Sequence, residues 1–77
     1  MQILVDADVF PGVIVDILYR TVEHVRVPLI LISNKHIKIP QSLYISTITV
    51  SAGFDVADNR IVAMVQPGDL VITADIP

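Results

Sequence analysis

The feature of this sequence that most constrains its fold is the alternation of short apolar runs with two longer segments of helical pattern. Four runs have the length of a strand, and they lie at residues 3–5, 27–33, 45–50 and 70–74. The helical segments lie at 11–25 and 55–66, after the first and third runs. Strands that alternate with helices predict right-handed crossovers and an open parallel sheet with helices on its faces, an α/β fold.

Both helical segments have an apolar side and a start signal. Pro11 suits the first turn of the first helix, and Asp55 suits the N-cap of the second. The apolar side of the first helix is predicted at Ile14, Ile17, Leu18, Val22 and Val25. The apolar side of the second is predicted at Ile61, Val62 and Val65.

The third run is the most polar of the four, because threonines alternate with Ile48 and Val50, and this favours an edge strand. The predicted strand order is therefore 3-2-1-4, with the first and fourth strands adjacent. In open α/β sheets of this kind, ligands bind beyond the carboxyl ends of the strands where the order reverses. That point lies between the first and fourth strands.

Four aspartates are expected at this crevice. Asp6 and Asp8 follow the first strand, Asp75 follows the fourth, and Asp58 lies in the first turn of the second helix. Mg²⁺ and Mn²⁺ prefer oxygen ligands of this type, so the sequence predicts a site for one of these metals. The alternative is structural, since aspartates often occupy turns and the first turns of helices. Asp69 precedes the fourth strand and is assigned to the opposite edge.

Three basic residues are expected around the same rim. Lys35 and Lys38 follow the second strand, and Arg60 lies one turn into the second helix. Cations around a metal site suit a phosphate-rich substrate such as RNA or DNA. The alternative is that they belong to an ordinary solvated loop and helix surface.

Composition limits the remaining classes. Residues 1–77 can form one domain at most, and 53% of them are hydrophobic, so we expect exposed apolar surface and self-association through it. The net charge of −3 argues against a nucleic-acid binder that is held by bulk charge alone. No cysteine is present and no apolar run reaches the length of a membrane span, about 18 residues, so a cytoplasmic protein with no membrane partner is expected.

Three ordered strings of this sequence resemble a known family. VDADVFP, GFDVADNRIV and GDLVITADIP are similar to the signature blocks of the YaiI/YqxD proteins, a little-characterised bacterial family in the PIN-like nuclease superfamily. LISNKHIKIP also resembles the segment of that family after the second strand. The resemblance covers nearly all 77 residues. Val9 and Phe10 depart from it, since the family usually has Ala and Cys there.

The resemblance implies a PIN-like fold and a metal site. Asp6, Asp58 and Asp75 match the positions that bind Mg²⁺ or Mn²⁺ in such nucleases, and Asp8 matches the second aspartate of the family. The resemblance also implies that family members run beyond the last block, so residues 1–77 are expected to be the amino-terminal part of a longer PIN-like domain.

The leading functional hypothesis is a metal-dependent nuclease in which Asp6, Asp8 and Asp75 are catalytic. A second hypothesis is a phosphatase of the haloacid-dehalogenase type, because VDADVF and LISN resemble two of its blocks. There Asp6 would be the nucleophile, Asp8 the acid and base, and Ser33 a phosphate ligand. A third hypothesis is a metal- or protein-binding module without turnover.

Overall fold

The structure, a computed structural model, describes residues 1–53 and 56–73. Its strands are β1 (Ile3–Asp6), β2 (Leu29–Ser33), β3 (Ile45–Thr49) and β4 (Leu70–Ile72), and its longer helices are α1 (Gly12–Val25) and α2 (Val56–Met64). A short 3₁₀ helix, Ala7–Val9, follows β1 and was not predicted. In the described part of the chain, no helix is long and apolar enough to cross a membrane.

The sheet has the predicted order and direction. Its four strands are parallel and run β3-β2-β1-β4. In β1, Ile3 is paired with Leu29 of β2 on one side and with Leu70 of β4 on the other. The first and fourth strands are therefore neighbours, and the predicted α/β architecture is confirmed.

Several element boundaries differ from the prediction by one or two residues. Strand β2 begins at Leu29 and β3 ends at Thr49, while α1 begins at Gly12 with Pro11 as its cap. Helix α2 ends at Met64, and the backbone N–H of Gln66 donates to Asp69 instead of continuing the helix. The predicted N-cap at Asp55 and the predicted strand end at 74 lie outside the described residues.

The side chains of the two central strands alternate between two cores. Ile3 and Val5 of β1 pack with Val15 and Val22 of α1 on one face of the sheet. Leu4 packs with Ile61 of α2 on the other face. This period of two follows from the pleat of a strand, and it places α1 and α2 on opposite faces of the sheet.

The predicted apolar side of α1 is partly wrong. Val22 is buried and Leu18 packs against the core, but the side chains of Ile14, Ile17 and Val25 are 40%, 52% and 51% exposed. The helix buries Val15 instead, because so many of its positions are apolar that periodicity does not single out the side that meets the sheet.

The predicted apolar side of α2 is also partly wrong. Ile61 is buried as expected, but Val62 is 72% exposed and Val65 is 38% exposed. Ala57 and Met64, four residues before and three residues after Ile61, pack against the core instead. This i, i+4, i+7 row is the normal contact side of a helix.

A tight turn leads from α2 into β4. The backbone N–H of Asp69 donates to the carbonyl of Gln66 at 3.0 Å, which closes a four-residue turn around Pro67 and Gly68. Gly68 has a φ of 93°, a conformation that side chains disfavour and that the third position of a type II turn requires. The turn delivers Asp69 to the start of β4.

Asp69 joins the starts of β1 and β4, the edge to which its sequence position assigned it. Its carboxylate accepts hydrogen bonds from the backbone N–H of Gln2 at 3.2 Å, from Gln2 Nε2 at 3.0 Å and from the backbone N–H of Gln66 at 3.0 Å. The Gln2 side chain is the main reason that the pKa of Asp69 lies below its ordinary value. The ionised form of Asp69 therefore favours the folded state.

This linkage predicts a pH dependence. Because the pKa of Asp69 is lower in the folded chain, its stabilising contribution is complete above the ordinary aspartate pKa of about 3.9 and is lost as the pH falls below it. We expect Asp69→Asn to lose less stability than the wild type between pH 6 and about pH 3. Urea unfolding at both pH values measures this, with Asp16→Asn on the exposed side of α1 as the control. An equal acid-induced loss in wild type and Asp69→Asn would contradict it.

Candidate functional site

A small cleft of about 110 Å³ opens at the carboxyl end of β1. Three of the predicted site residues line it, namely Asp6, Asp8 and Asp58. The other lining residues are Asn34, Val50, Ser51, Gly53 and Ala57. The cleft therefore draws on the ends of β1, β2 and β3 and on the first turn of α2.

Asp6 is the most constrained of the acidic residues. It is the last residue of β1 and lies two residues after Leu4, so the pleat directs both side chains to the α2 side of the sheet. Its side chain is only 8% exposed, and its Oδ1 is buried with no hydrogen-bond partner among the described residues. A buried carboxylate oxygen without a partner is costly to leave in a folded protein.

Burial dominates the electrostatics of Asp6. Removal from water raises the pKa of its carboxyl group, and the nearby charge of Asp8 raises it further. A hydrogen bond from the backbone of Asp8 lowers the pKa but does not cancel the effect of burial. The site therefore disfavours a bare negative charge at Asp6, and a cation beside it would reverse that preference.

Asp8 lies on the unpredicted 3₁₀ helix and contacts the end of β2. Its Oδ1 accepts a hydrogen bond from Ser33 Oγ at 2.5 Å, and its Oδ2 accepts one from the backbone N–H of Asn34 at 2.8 Å. Ser33 is buried, and its Oγ accepts from the backbone N–H of Lys35 at 2.9 Å. Both oxygens of Asp8 are thus engaged by β2 and the residue after it, which fixes the 3₁₀ helix to the sheet.

Of the two remaining acidic candidates, the structure describes Asp58 only. Asp58 is half-buried in the first turn of α2 and lines the cleft beside Ala57. Asp75 lies outside the described residues. Within residues 1–53 and 56–73, no group of three His, Cys, Asp or Glu side chains is close enough to hold a metal ion by itself.

The three predicted basic residues do not line the acidic cleft. Lys35 and Lys38 are exposed in the segment after β2. Arg60 lines a neighbouring groove, which shares Val50 and Ser51 with the cleft. Arg60 therefore lies in a groove that adjoins the acidic cleft at Val50 and Ser51, the two residues that follow β3.

The sequence-based prediction missed two polar residues of the cleft, Asn34 and Ser51. It included Ser33 only in the phosphatase hypothesis. The signal that identified Asp6 was available for these positions too, since Ser33 and Asn34 stand at the end of β2 and Ser51 follows β3. Polar residues at the carboxyl ends of neighbouring parallel strands meet at one edge whether or not they are acidic.

Comparison with known proteins gives relatives but no activity. The family described as "Uncharacterized BCR, YaiI/YqxD family" matches residues 4–77. A UPF0178 protein of Alkalilimnicola ehrlichii is 57% identical over all 77 residues, which make up 52% of that protein. A UPF0178 protein of Hahella chejuensis is 58% identical over the same 77 residues, 51% of its length. The chain thus spans about half the length of these curated relatives. No solved structure matches it.

Proposed function

Because this chain belongs to the uncharacterised YaiI/YqxD family, we propose its function from its site: a divalent-metal-dependent nuclease that hydrolyses phosphodiester bonds of RNA or DNA. The observation that carries the proposal is the buried, unpartnered oxygen of Asp6 in an acidic cleft at the carboxyl edge of a parallel sheet. Mg²⁺ or Mn²⁺ is the proposed cofactor.

The chemistry of Asp6 fits such a cation. Its carboxylate lacks one hydrogen bond and is held away from water, so a hard divalent ion would supply both the missing partner and the missing charge compensation. Asp58, on the facing side of the cleft, and Asp75, after β4, are the proposed further ligands.

Asp8 is proposed to have a different main role, which is to position the site. Because Ser33 and Asn34 occupy its two oxygens, Asp8 is already oriented before any ligand arrives. We assign it the tasks of fixing the cleft wall and of completing the coordination or orienting a water through the remaining lone pairs of its carboxylate. A divalent ion held in this site would polarise the phosphate and lower the pKa of an attacking water.

The proposed substrate contacts are basic. Lys35, Lys38 and Arg60 would hold phosphates that flank the scissile one, outside the cleft itself. A cytoplasmic location belongs to the same proposal, since nucleic acids and Mg²⁺ are available there.

The test is turnover of labelled RNA and DNA oligonucleotides with Mn²⁺ or Mg²⁺, using the chain extended by the remaining half of the Hahella chejuensis relative. We expect metal-dependent cleavage that Asp6→Asn lowers by at least about 100-fold, because even residues that support metal ligands cost 10- to 100-fold. Asp16→Asn, exposed on α1, is the matched control and should keep full activity.

Two other outcomes separate the alternatives. Metal binding with no cleavage of either nucleic acid would overturn the nuclease proposal in favour of a non-catalytic binding module. Hydrolysis of a small phosphomonoester through a covalent aspartyl phosphate would indicate the phosphatase, in which Asp6 is the nucleophile. Among the described residues, the hydrogen bond from Ser33 Oγ to Asp8 is the observation that favours the phosphatase hypothesis.

The chain is also proposed to self-associate through an exposed apolar side of α1. The outer side of α1 carries four exposed apolar residues, Val13, Ile14, Ile17 and Val25. An exposed apolar row of this kind is typical of an interaction surface. Sedimentation of the chain over a range of concentrations measures it, and a monomer throughout would count against it.

A further inference from the structure

The acidic cleft changes in chemistry along the carboxyl edge of the sheet. At the end of β1 and just after it, the cleft is lined by the carboxylates Asp6 and Asp8. Just after β2 and β3, it is lined by Asn34 and Ser51, which are polar but neutral. Because β1, β2 and β3 are consecutive in the sheet, the cleft passes from an acidic part to a neutral polar part.

The backbone of Asn34 is fixed beside Asp8. Its N–H donates to Asp8 Oδ2 at 2.8 Å. Both of its neighbours in the chain are fixed as well, since Ser33 Oγ donates to Asp8 Oδ1 at 2.5 Å and the backbone N–H of Lys35 donates to Ser33 Oγ at 2.9 Å. Asn34 therefore holds a defined place in the cleft before any ligand binds, which lowers the cost of using its side chain for binding.

The side chain of Asn34, in contrast to its backbone, is available to a ligand. Asn34 is exposed and lines the cleft, and its carboxamide has no hydrogen-bond partner among the described residues. A carboxamide offers two N–H donors and carries no charge. It can therefore donate to an anion, whereas an ionised carboxylate such as Asp8 can only accept.

A phosphodiester in this cleft needs a neutral donor of this kind. The described residues supply three carboxylates to the cleft, which carry more negative charge than one divalent cation neutralises. Arg60 lies in the adjoining groove, which meets the cleft at Val50 and Ser51. A nucleic-acid strand that runs from the end of β1 to this groove thus passes the neutral part of the cleft. Amide side chains are among the groups that bind phosphates of nucleic acids in proteins.

We propose that Asn34 is a substrate-binding residue whose Nδ2 donates to a non-bridging oxygen of the phosphodiester in the cleft. The inference rests on the proposed nuclease function, from which it takes the substrate. It adds to the acidic and basic residues of the site a neutral one. It also gives the hydrogen bonds of Asp8 a second use, because they hold Asn34 in position.

The test measures binding separately from cleavage, on the chain extended by the remaining half of the Hahella chejuensis relative. The probe is a fluorescein-labelled tetranucleotide with 3′-phosphoramidate linkages, in DNA and RNA form, because these linkages keep both non-bridging oxygens and resist hydrolysis. Its anisotropy is followed with Mn²⁺ present. Asn34→Ala should raise the dissociation constant about tenfold, the loss expected of one hydrogen bond to a charged group. Asn34→Asp should raise it further, since a carboxylate repels the phosphate.

Two controls make the result specific. Gln41→Glu also converts an exposed amide into a carboxylate, but it lies in the segment between β2 and β3 and should leave binding of the probe unchanged. The affinity for Mn²⁺ alone, measured by electron paramagnetic resonance, should be the same in Asn34→Ala and in the wild type.

Three results would overturn the inference. Unchanged binding of the probe by Asn34→Ala would mean that the side chain does not contact the phosphate, and a wild type that does not bind the probe would mean the same. Weaker Mn²⁺ binding by Asn34→Ala with tighter binding by Asn34→Asp would make Asn34 a metal ligand through Oδ1. Binding that depends on Asn34 without cleavage of RNA or DNA would support this inference and refute only the nuclease proposal.

Discussion

Asp6→Asn is expected to change the free energy of unfolding in opposite directions with and without a divalent metal. Without metal, the substitution should stabilise the chain by about 1 kcal/mol at neutral pH, because it removes a buried charge whose Oδ1 lacks a hydrogen-bond partner among the described residues. With Mn²⁺ at about 100 times its dissociation constant, the wild type should gain about 2.7 kcal/mol and the variant almost nothing. Thermal and urea unfolding with and without Mn²⁺ measure both effects.

The metal-free effect has a defined pH dependence. The pKa of Asp6 is raised in the folded chain, so the stability linked to its protonated form is complete below the ordinary aspartate pKa of about 3.9. That stability is lost as the pH rises through the folded pKa of Asp6. The advantage of Asp6→Asn should therefore be present at pH 7 and disappear near about pH 3.

Three variants make the result specific to the site. Asp75→Asn should also reduce the response to Mn²⁺, whereas Asp16→Asn should respond as the wild type does. If Mn²⁺ stabilises Asp6→Asn as much as the wild type, the cation does not bind at Asp6. If Asp6→Asn destabilises the metal-free chain by more than about 1 kcal/mol, the ionised carboxylate of Asp6 stabilises the fold without a cation, which contradicts the prediction.

Leu4→Ala is expected to have the largest effect on stability. Leu4 is fully buried in the middle of the sheet and packs against Ile61 of α2. This contact holds α2 against one face of the sheet. Truncating such a leucine removes buried apolar area and leaves a cavity, at a cost of about 2–5 kcal/mol. A domain of this size has little stability in reserve, so a large part of the chain should unfold.

Leu43→Ala is the matched control, because Leu43 is 98% exposed and the same atoms are removed. It should change the free energy of unfolding by less than about 0.5 kcal/mol. Urea unfolding of both variants gives the comparison. Because Leu4 lies beneath α2, Leu4→Ala should also weaken Mn²⁺ binding through Asp58, and Leu43→Ala should not. Similar losses in the two variants would mean that Leu4 is not part of a packed core.

The sequence by itself determined the strand order and the edge at which the acidic residues gather. Short apolar runs separated by helical segments permit few arrangements, since crossovers between parallel strands are right-handed and connections are short. The threonines of β3 indicated an edge strand, and the chain positions of Asp6 and Asp69 then assigned them to opposite edges of the sheet.

Only the tertiary structure decided which sides of the helices are buried and how the carboxylates differ. Helix α1 is apolar around much of its circumference, so its buried side depends on the sheet that it meets, which selects Val15 over Ile14 and Ile17. Asp6 and Asp8 are two residues apart and look equivalent in sequence. The pleat buries Asp6 without a partner for Oδ1, whereas the 3₁₀ helix turns Asp8 toward Ser33 and Asn34 of the neighbouring strand end. That difference depends on contacts between residues 25 or more positions apart, which no local pattern contains.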